Sequence, residues 1–387
     1  MSSRIQSLPP VWQLPKISLR VAALGILISL TLAGAAAGIA RLIVGMGTTT
    51  ALDDVYPWGI WIGFDFAMIA FSGAGFTMAA VVHVLHLHRF EAAFRPALFV
   101  GLLGYVAVLL LLVLDLGRPD RFYHFILYWN LHSPLFEISW CVLLYTTVLL
   151  LEISPDILNL LHWQWVKWAK RMVFAIMPVV CIVGVTLSSL HQSTLGTLYV
   201  NMPHRLHPLW YSAYLPFLFF VSAVMAGLAV AILAHRITAV IHRQPAALDV
   251  SRGLAVGLIG ASLIYGIARL AVVAAEGKLA LAFEPTQLAL LFWAELVVSV
   301  LVPVVLLVWA RNRTGVWVYW VAPMLVVFGV GMNRFNTTLA AQLPVWQGSY
   351  SPNLLEWVST VGILAGALLL WLLAVRYLVP RSAAHEA

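Results

Sequence analysis

The chain is expected to be all-α: a polytopic transmembrane bundle of about ten spans, built as two four-helix bundles plus peripheral helices. Three observations predict this. Of its 387 residues, 62% are hydrophobic and only 10% charged, with a mean hydropathy of +0.95, which excludes an ordinary soluble domain. Ten apolar runs of about 19 to 27 residues match the roughly 20 that cross ~30 Å of hydrocarbon as helix. The runs do not alternate apolar with polar, as barrel strands would.

The runs place spans at 19–45, 60–86, 96–115, 134–153, 170–190, 212–234, 251–275, 287–309, 315–333 and 353–378, within a single integral membrane domain, 1–387. The first follows Arg4, Lys16 and Arg20 and contains Ala33-Gly34-Ala35-Ala36-Ala37. It is too long for the apolar core of a signal peptide, and its removal would break the even span count, so it is kept as a span. Span two carries Gly73, Gly75, Ala79 and Ala80, small residues that let helices approach. Ser133-Pro134 reads as an N-cap and first-turn proline opening span four. Pro178, Pro216, Pro303 and Pro323 imply kinks in spans five, six, eight and nine. In span seven, Gly253 and Gly257 have the separation of a helix-packing pair. Spans two to five and six to nine form the two groups of four.

Counted against these spans, the loops on the side of the N-terminus hold fifteen of the 22 lysines and arginines, and the opposite loops hold six. Basic residues near span ends resist translocation, so both termini are expected in the cytoplasm. The same bias explains the net charge of +7 without nucleic acid as a partner. The longer loops lie on the opposite side, at 46–59, 116–133, 191–211, 276–286 and 334–352. They are rich in Trp, Tyr, His, Pro and Asn, which suits docking of another protein, the floor of a site or an interfacial aromatic belt.

Charge near the bilayer centre costs about 2.5–3.5 kcal/mol on insertion scales. The candidates that need a reason are Asp65, Asp115, Glu137, His191, Arg269, Glu295 and Arg334, gathered toward the side away from the termini. Trp58, Trp61 and Asp65 have the spacing of one helical face, and Asp115 with Arg118 that of an ion pair. Tyr265 is placed to orient Arg269, and Arg269 with Glu295 could join spans seven and eight. Glu137 and His191 lie on adjacent spans at similar depth, with no local partner. Imidazole titrates near neutrality, and an acid beside it makes a pair able to exchange protons with a lipid-soluble quinone.

Haem is disfavoured. A membrane b-type haem wants two axial histidines at one depth, whereas His83, His86 and His88 end span two opposite loop or span-end histidines, His162, His235 and His242. Cys141 and Cys181 are too few for an iron–sulfur cluster.

Several stretches carry a resemblance: Pro57-Trp58-Gly59-Ile60-Trp61-Ile62-Gly63-Phe64-Asp65, Arg95-Pro96-Ala97-Leu98, Asp115-Leu116-Gly117-Arg118, Leu135-Phe136-Glu137, His191-Gln192-Ser193-Thr194-Leu195-Gly196 and His207-Pro208-Leu209-Trp210. On these the chain resembles the NrfD/polysulfide reductase membrane-subunit family, and within it the HybB-type branch, the membrane subunit of periplasmic nickel–iron hydrogenases. The resemblance implies a multi-pass subunit of the bacterial inner membrane that binds a quinone (menaquinone or ubiquinone) and holds no haem or iron–sulfur cluster of its own. It implies as partners a periplasm-facing ferredoxin-like iron–sulfur subunit and a catalytic subunit, a hydrogenase or a molybdopterin enzyme. Carried over by position, Glu137 and His191 would serve the quinone, with Asp65, Trp61, Asp115 and Arg118 lining or supporting its pocket. Coupling to proton movement would draw on Arg269, Glu295, Arg334 and His83, with hydroxyls such as Tyr105, Tyr145, Thr146 and Ser262 as relays.

Two other classes compete. A secondary transporter predicts inverted repeats with paired broken helices, and the prolines show no such pairing. A passive anchor leaves the clustered charges unexplained.

Overall fold

The computed structural model describes residues 19–54, 56–161, 163–311, 315–342 and 350–380. Of the basic residues and histidines named or counted above, Arg4, Lys16, His162, Arg313 and Arg381 lie outside them.

Among the described residues ten helices are long and apolar enough to cross a membrane: α1 (Val21–Val44), α2 (Ile60–Val84), α3 (His88–Asp115), α4 (Pro134–Leu158), α5 (Trp165–Val200), α6 (Leu215–His242), α7 (Leu248–Ala275), α8 (Gln287–Ala310), α9 (Val318–Ala340) and α10 (Leu354–Tyr377). The described residues contain no strand; one isolated bridge pairs Leu206 with Gln342. The chain is an integral, multi-pass, all-helical membrane protein.

Local chemistry starts some of these helices. Asn353 and Glu356 form a reciprocal capping box at α10, and the Thr286 hydroxyl caps α8. Ser133 does occupy the N-cap of α4, but its side chain makes no capping bond. Three spans contain a π turn, at Ala80–Val84, Val297–Leu301 and Asn336–Ala340. Helix α5 outruns its expected bounds of 170–190, so His191 lies well within the helix instead of at its end. Helix α9 likewise runs past 333, which carries Arg334 into the span from the loop where it was expected.

Helices α2 to α5 form one four-helix group and α6 to α9 a second, while α1 and α10 pair with each other and lie against α3. The groups meet chiefly where α6 packs on α2, α3 and α5. Lipid is as apolar as leucine, so close packing and interhelical hydrogen bonds hold such a bundle. A Cβ on Gly227 of α6 would stand 2.7 Å from the carbonyl oxygen of Gly73 in α2, so only glycine permits that seam. On the periphery, a Cβ on Gly34 of α1 would stand 2.4 Å from Gly362 Cα of α10. The expected Gly253/Gly257 pair does not form one contact: Gly253 faces the Phe90 ring, and Gly257 meets only Leu228 at ordinary distance.

Candidate functional site

The first four-helix group buries a run of polar side chains. His191, fully buried on α5, has Nδ1 2.8 Å from the hydroxyl of Tyr105 on α3. Its Nε2 is buried with no hydrogen-bond partner. The Tyr105 ring makes an edge contact with Tyr145 of α4, centroids 4.9 Å apart.

Glu137, in the first turn of α4, is exposed on the surface of the bundle. It accepts a hydrogen bond from Thr194 Oγ1 at 2.8 Å. Thr194 follows His191 by three residues, so the carboxylate and the imidazole lie about one helical turn apart along the α4–α5 seam without touching. Thr194 Oγ1 is also 2.8 Å from the carbonyl of Leu190. A hydroxyl has one proton to donate. An ionised Glu137 takes that proton; a protonated Glu137 donates to Oγ1 while the hydroxyl turns to Leu190. Both states of the acid are therefore satisfied in place.

Asp65 on α2 is buried with Oδ1 unpartnered, and half-buried Asp115 at the end of α3 also has an unpartnered buried oxygen. The expected Asp115–Arg118 pair is absent. Helix α3 ends at Asp115 and Leu116 is extended, which turns Arg118 away from the helix face. Arg118 instead donates to Asp120 through Nε at 3.0 Å and Nη2 at 2.8 Å, both residues well exposed. That bond holds the Asp120 carboxyl below its ordinary value. The cation that faces Asp115 is Arg41 of α1, whose Nη2 donates to the Leu116 carbonyl at 2.6 Å.

The expected common face of Trp58, Trp61 and Asp65 is also divided. Trp58 precedes α2 and stacks under Arg205, 4.3 Å from its guanidinium carbon, with an edge contact to Tyr199. Trp61 is buried the other way, donating from Nε1 to Ser359 of α10 at 3.1 Å. The turn before Ile60 breaks the helical periodicity on which that face depended.

The second group holds a separate cluster. Glu295 of α8 lies 3.6 Å from Arg269 of α7, so the pair linking those spans is present and buried. Glu295 accepts from Trp210 Nε1, Asn333 Nδ2 and Asn336 Nδ2 at 2.9–3.1 Å. Arg334 is fully buried, donating to Asn333 Oδ1, Ser222 Oγ and the Phe219 carbonyl, with its guanidinium over the Phe219 ring. Tyr265 does not orient Arg269, whose Nε and Nη2 have no hydrogen-bond partner. A cavity of about 10 Å³, room for about one water, is lined by Tyr265, Arg269 and Asn333.

His83 is exposed at the N-terminal side, on the π turn ending α2 and edge-on to Phe94. It lines a cavity of about 540 Å³ with Cys181 and Pro178 of α5. Three buried acids escaped the reading of the sequence: Glu152 and Asp156, in the half of α4 nearer the N-terminal side, and Glu356 in the first turn of α10. Asp156 pairs with Arg95 of α3. Among the described residues no three His, Cys, Asp or Glu side chains come together as a metal site.

A family model described as "Polysulphide reductase, NrfD" matches residues 48–345. A protein of Nitratidesulfovibrio vulgaris is 34% identical over 82% of this chain and 84% of its own length. The Escherichia coli protein named "Probable Ni/Fe-hydrogenase 2 b-type cytochrome subunit" is 27% identical over 88% of this chain and 87% of its own. A further Nitratidesulfovibrio vulgaris protein, "Menaquinone reductase, integral membrane subunit", is 29% identical over 87% and 86%.

Proposed function

The chain belongs to the polysulphide reductase NrfD family, and from that membership we propose that it is the quinone-reactive membrane subunit of a respiratory oxidoreductase complex. In this reading it lies in the bacterial inner membrane with both termini in the cytoplasm, as the basic bias of the loops supports. A ferredoxin-like iron–sulfur subunit docks on the periplasmic face and connects to a catalytic subunit, a hydrogenase or a molybdopterin enzyme. The names of the hydrogenase and menaquinone reductase relatives support this class of complex. The exposed aromatics Phe122, Tyr123, Tyr128 and Trp129 on the loop between α3 and α4 suit such docking.

The observation that carries the reading is His191. With Tyr105 donating to Nδ1, the ring proton sits on Nε2, a buried donor with no acceptor. Such an orphan costs about 1–3 kcal/mol, and a quinone carbonyl is an acceptor that would relieve it. The residues therefore fit a quinone, menaquinone or ubiquinone, with menaquinone favoured by a relative's name. When bound, the quinone supplies reversible chemistry of two electrons and two protons. His191 holds a proton at Nε2 and Tyr105 keeps that ring oriented. Glu137, held by Thr194 in either protonation state, exchanges the second proton at the rim. Asp65 and Asp115 line the same side of the bundle, with Trp61 packed behind and exposed Arg118 on the docking face.

The test is quinone-linked turnover of the assembled complex carrying Glu137→Gln or His191→Ala. Each is expected to lower it about 100-fold or more while the partner subunits remain bound. Full turnover in both variants, with normal assembly, would end the assignment.

A further inference from the structure

The second four-helix group buries more positive charge than it balances. Arg269 and Arg334 are both buried, and the one carboxylate that faces them both, among the described residues, is Glu295. The other titratable groups facing Arg334 are the phenols of Tyr265 and Tyr199. Glu276, which faces Arg269 from just beyond α7, is already engaged by Lys278 and Ser212. Two guanidiniums against one carboxylate leave a surplus positive charge where an unbalanced ion is costly.

Glu295 does not satisfy Arg269 by hydrogen bonding either. Its oxygens accept from Trp210, Asn333 and Asn336. Arg269 Nη2 stands 3.6 Å from Oε1, beyond hydrogen-bond reach. Nε and Nη2 of Arg269 and Nε of Arg334 are thus buried donors with no acceptor. A guanidinium offers five N–H groups and keeps its charge, so it calls for an acceptor that no side chain here supplies.

The cavity of about 10 Å³ lined by Arg269, Tyr265 and Asn333 lies where α6, α7 and α9 meet. It admits one species about as large as a water, which excludes phosphate, sulfate and carboxylates. Leu215, Leu218 and Phe219 give it apolar walls. Orphan donors beside hydrocarbon suit a weakly hydrated monatomic anion. A water would bring two more protons to a place crowded with donors, and hydroxide would take the proton of Tyr265.

We infer that this cavity is a site for a single halide ion, chloride in practice, which balances Arg269 and Arg334 and ties α6 to α7 and α9. Helix α6 is where the two four-helix groups meet. Arg334 already grips it through the Phe219 carbonyl and Ser222, and the halide adds a second hold beside that one. The site is independent of what His191 binds.

The test uses the purified full-length chain in detergent, exchanged into gluconate, an anion too large for the cavity. It is then titrated with chloride or bromide at constant ionic strength while Tm is followed. A ligand that binds only the folded state raises stability with the logarithm of its concentration once above Kd, so Tm is expected to climb with either halide. Crystals grown in bromide are expected to show an anomalous peak between Arg269 and Tyr265. A Tm indifferent to halide, or bromide found only outside the cavity, overturns the site. Arg269→Gln removes the surplus charge while keeping an amide donor, and is expected to abolish both the halide response and the peak. Tyr265→Phe, the milder change, is expected to weaken chloride affinity about ten-fold or more, and it takes the place of Arg269→Gln if that variant does not fold. A halide response unaltered in the variant read overturns the site. So does a tyrosinate absorbance in the wild type that vanishes in Tyr265→Phe, because the phenolate would then be the balancing anion.

Discussion

The Tyr105 hydroxyl stands 2.8 Å from Nδ1 of His191, with both side chains fully buried and the second ring nitrogen unpartnered. The pairing joins α3 to α5 and holds the imidazole in its orientation. Tyr105→Phe should therefore leave assembly intact yet reduce quinone-linked turnover about ten-fold or more, because the ring loses its orienting donor. Steady-state kinetics of the purified complex check this; an unchanged rate would remove Tyr105 from the site.

The Glu295 cluster predicts stability more than activity. Glu295→Gln turns an amide donor toward Trp210, Asn333 or Asn336 and leaves Arg269 without its counter-charge. Breaking a buried pair in this way costs about 3–5 kcal/mol, so Tm in detergent should fall sharply. The double variant Arg269→Met with Glu295→Met should lose less than the two single losses combined, since neither charge is then stranded.

Arg118 and Arg41 should behave oppositely. Arg118 is exposed and, among the described residues, bonded only to nearby Asp120, so Arg118→Ala should leave both Tm and quinone affinity unchanged. Arg41 is buried, donates to the Leu116 carbonyl and faces Asp115. Arg41→Ala should lower Tm measurably. Thermal scans of the two variants side by side decide the point.

Glu276, just beyond α7, offers a pH test. Burial pushes its carboxyl up, but bonds from Lys278 and Ser212 outweigh this and hold it below the ordinary 4.5. A depressed carboxyl contributes stability that is present above its unfolded value and lost as pH falls through the folded one. The Tm difference between wild type and Glu276→Gln should thus be level near neutrality and shrink only below about pH 4.5. A difference independent of pH would deny the charged contact.

The number of spans and their grouping were legible because apolar run length and hydrogen-bond closure in lipid leave little choice. The partners of individual charges were not. Asp115 and Arg118 looked paired from spacing alone, but the helix stops between them, and the facing cation comes from Arg41, over seventy residues away in the chain. Glu152 was hidden by its place near an expected span end at 153, whereas α4 continues to Leu158. The three-and-four spacing of Cys181, Gly184, Ser188, His191 and Thr194 was readable in advance; what it faced was not, since register between two helices is a tertiary fact.

The backbone contact between Gly34 and Gly362 has a consequence for biogenesis. Helix α1 finds its main partner in α10, more than three hundred residues later in the chain. Until α10 is synthesised, α1 waits in lipid or beside the insertion machinery without its final neighbour. A chain cut short before residue 354 would leave that helix unclasped and open to membrane proteases, so a chain terminated even far from His191 and Glu137 should be lost by degradation.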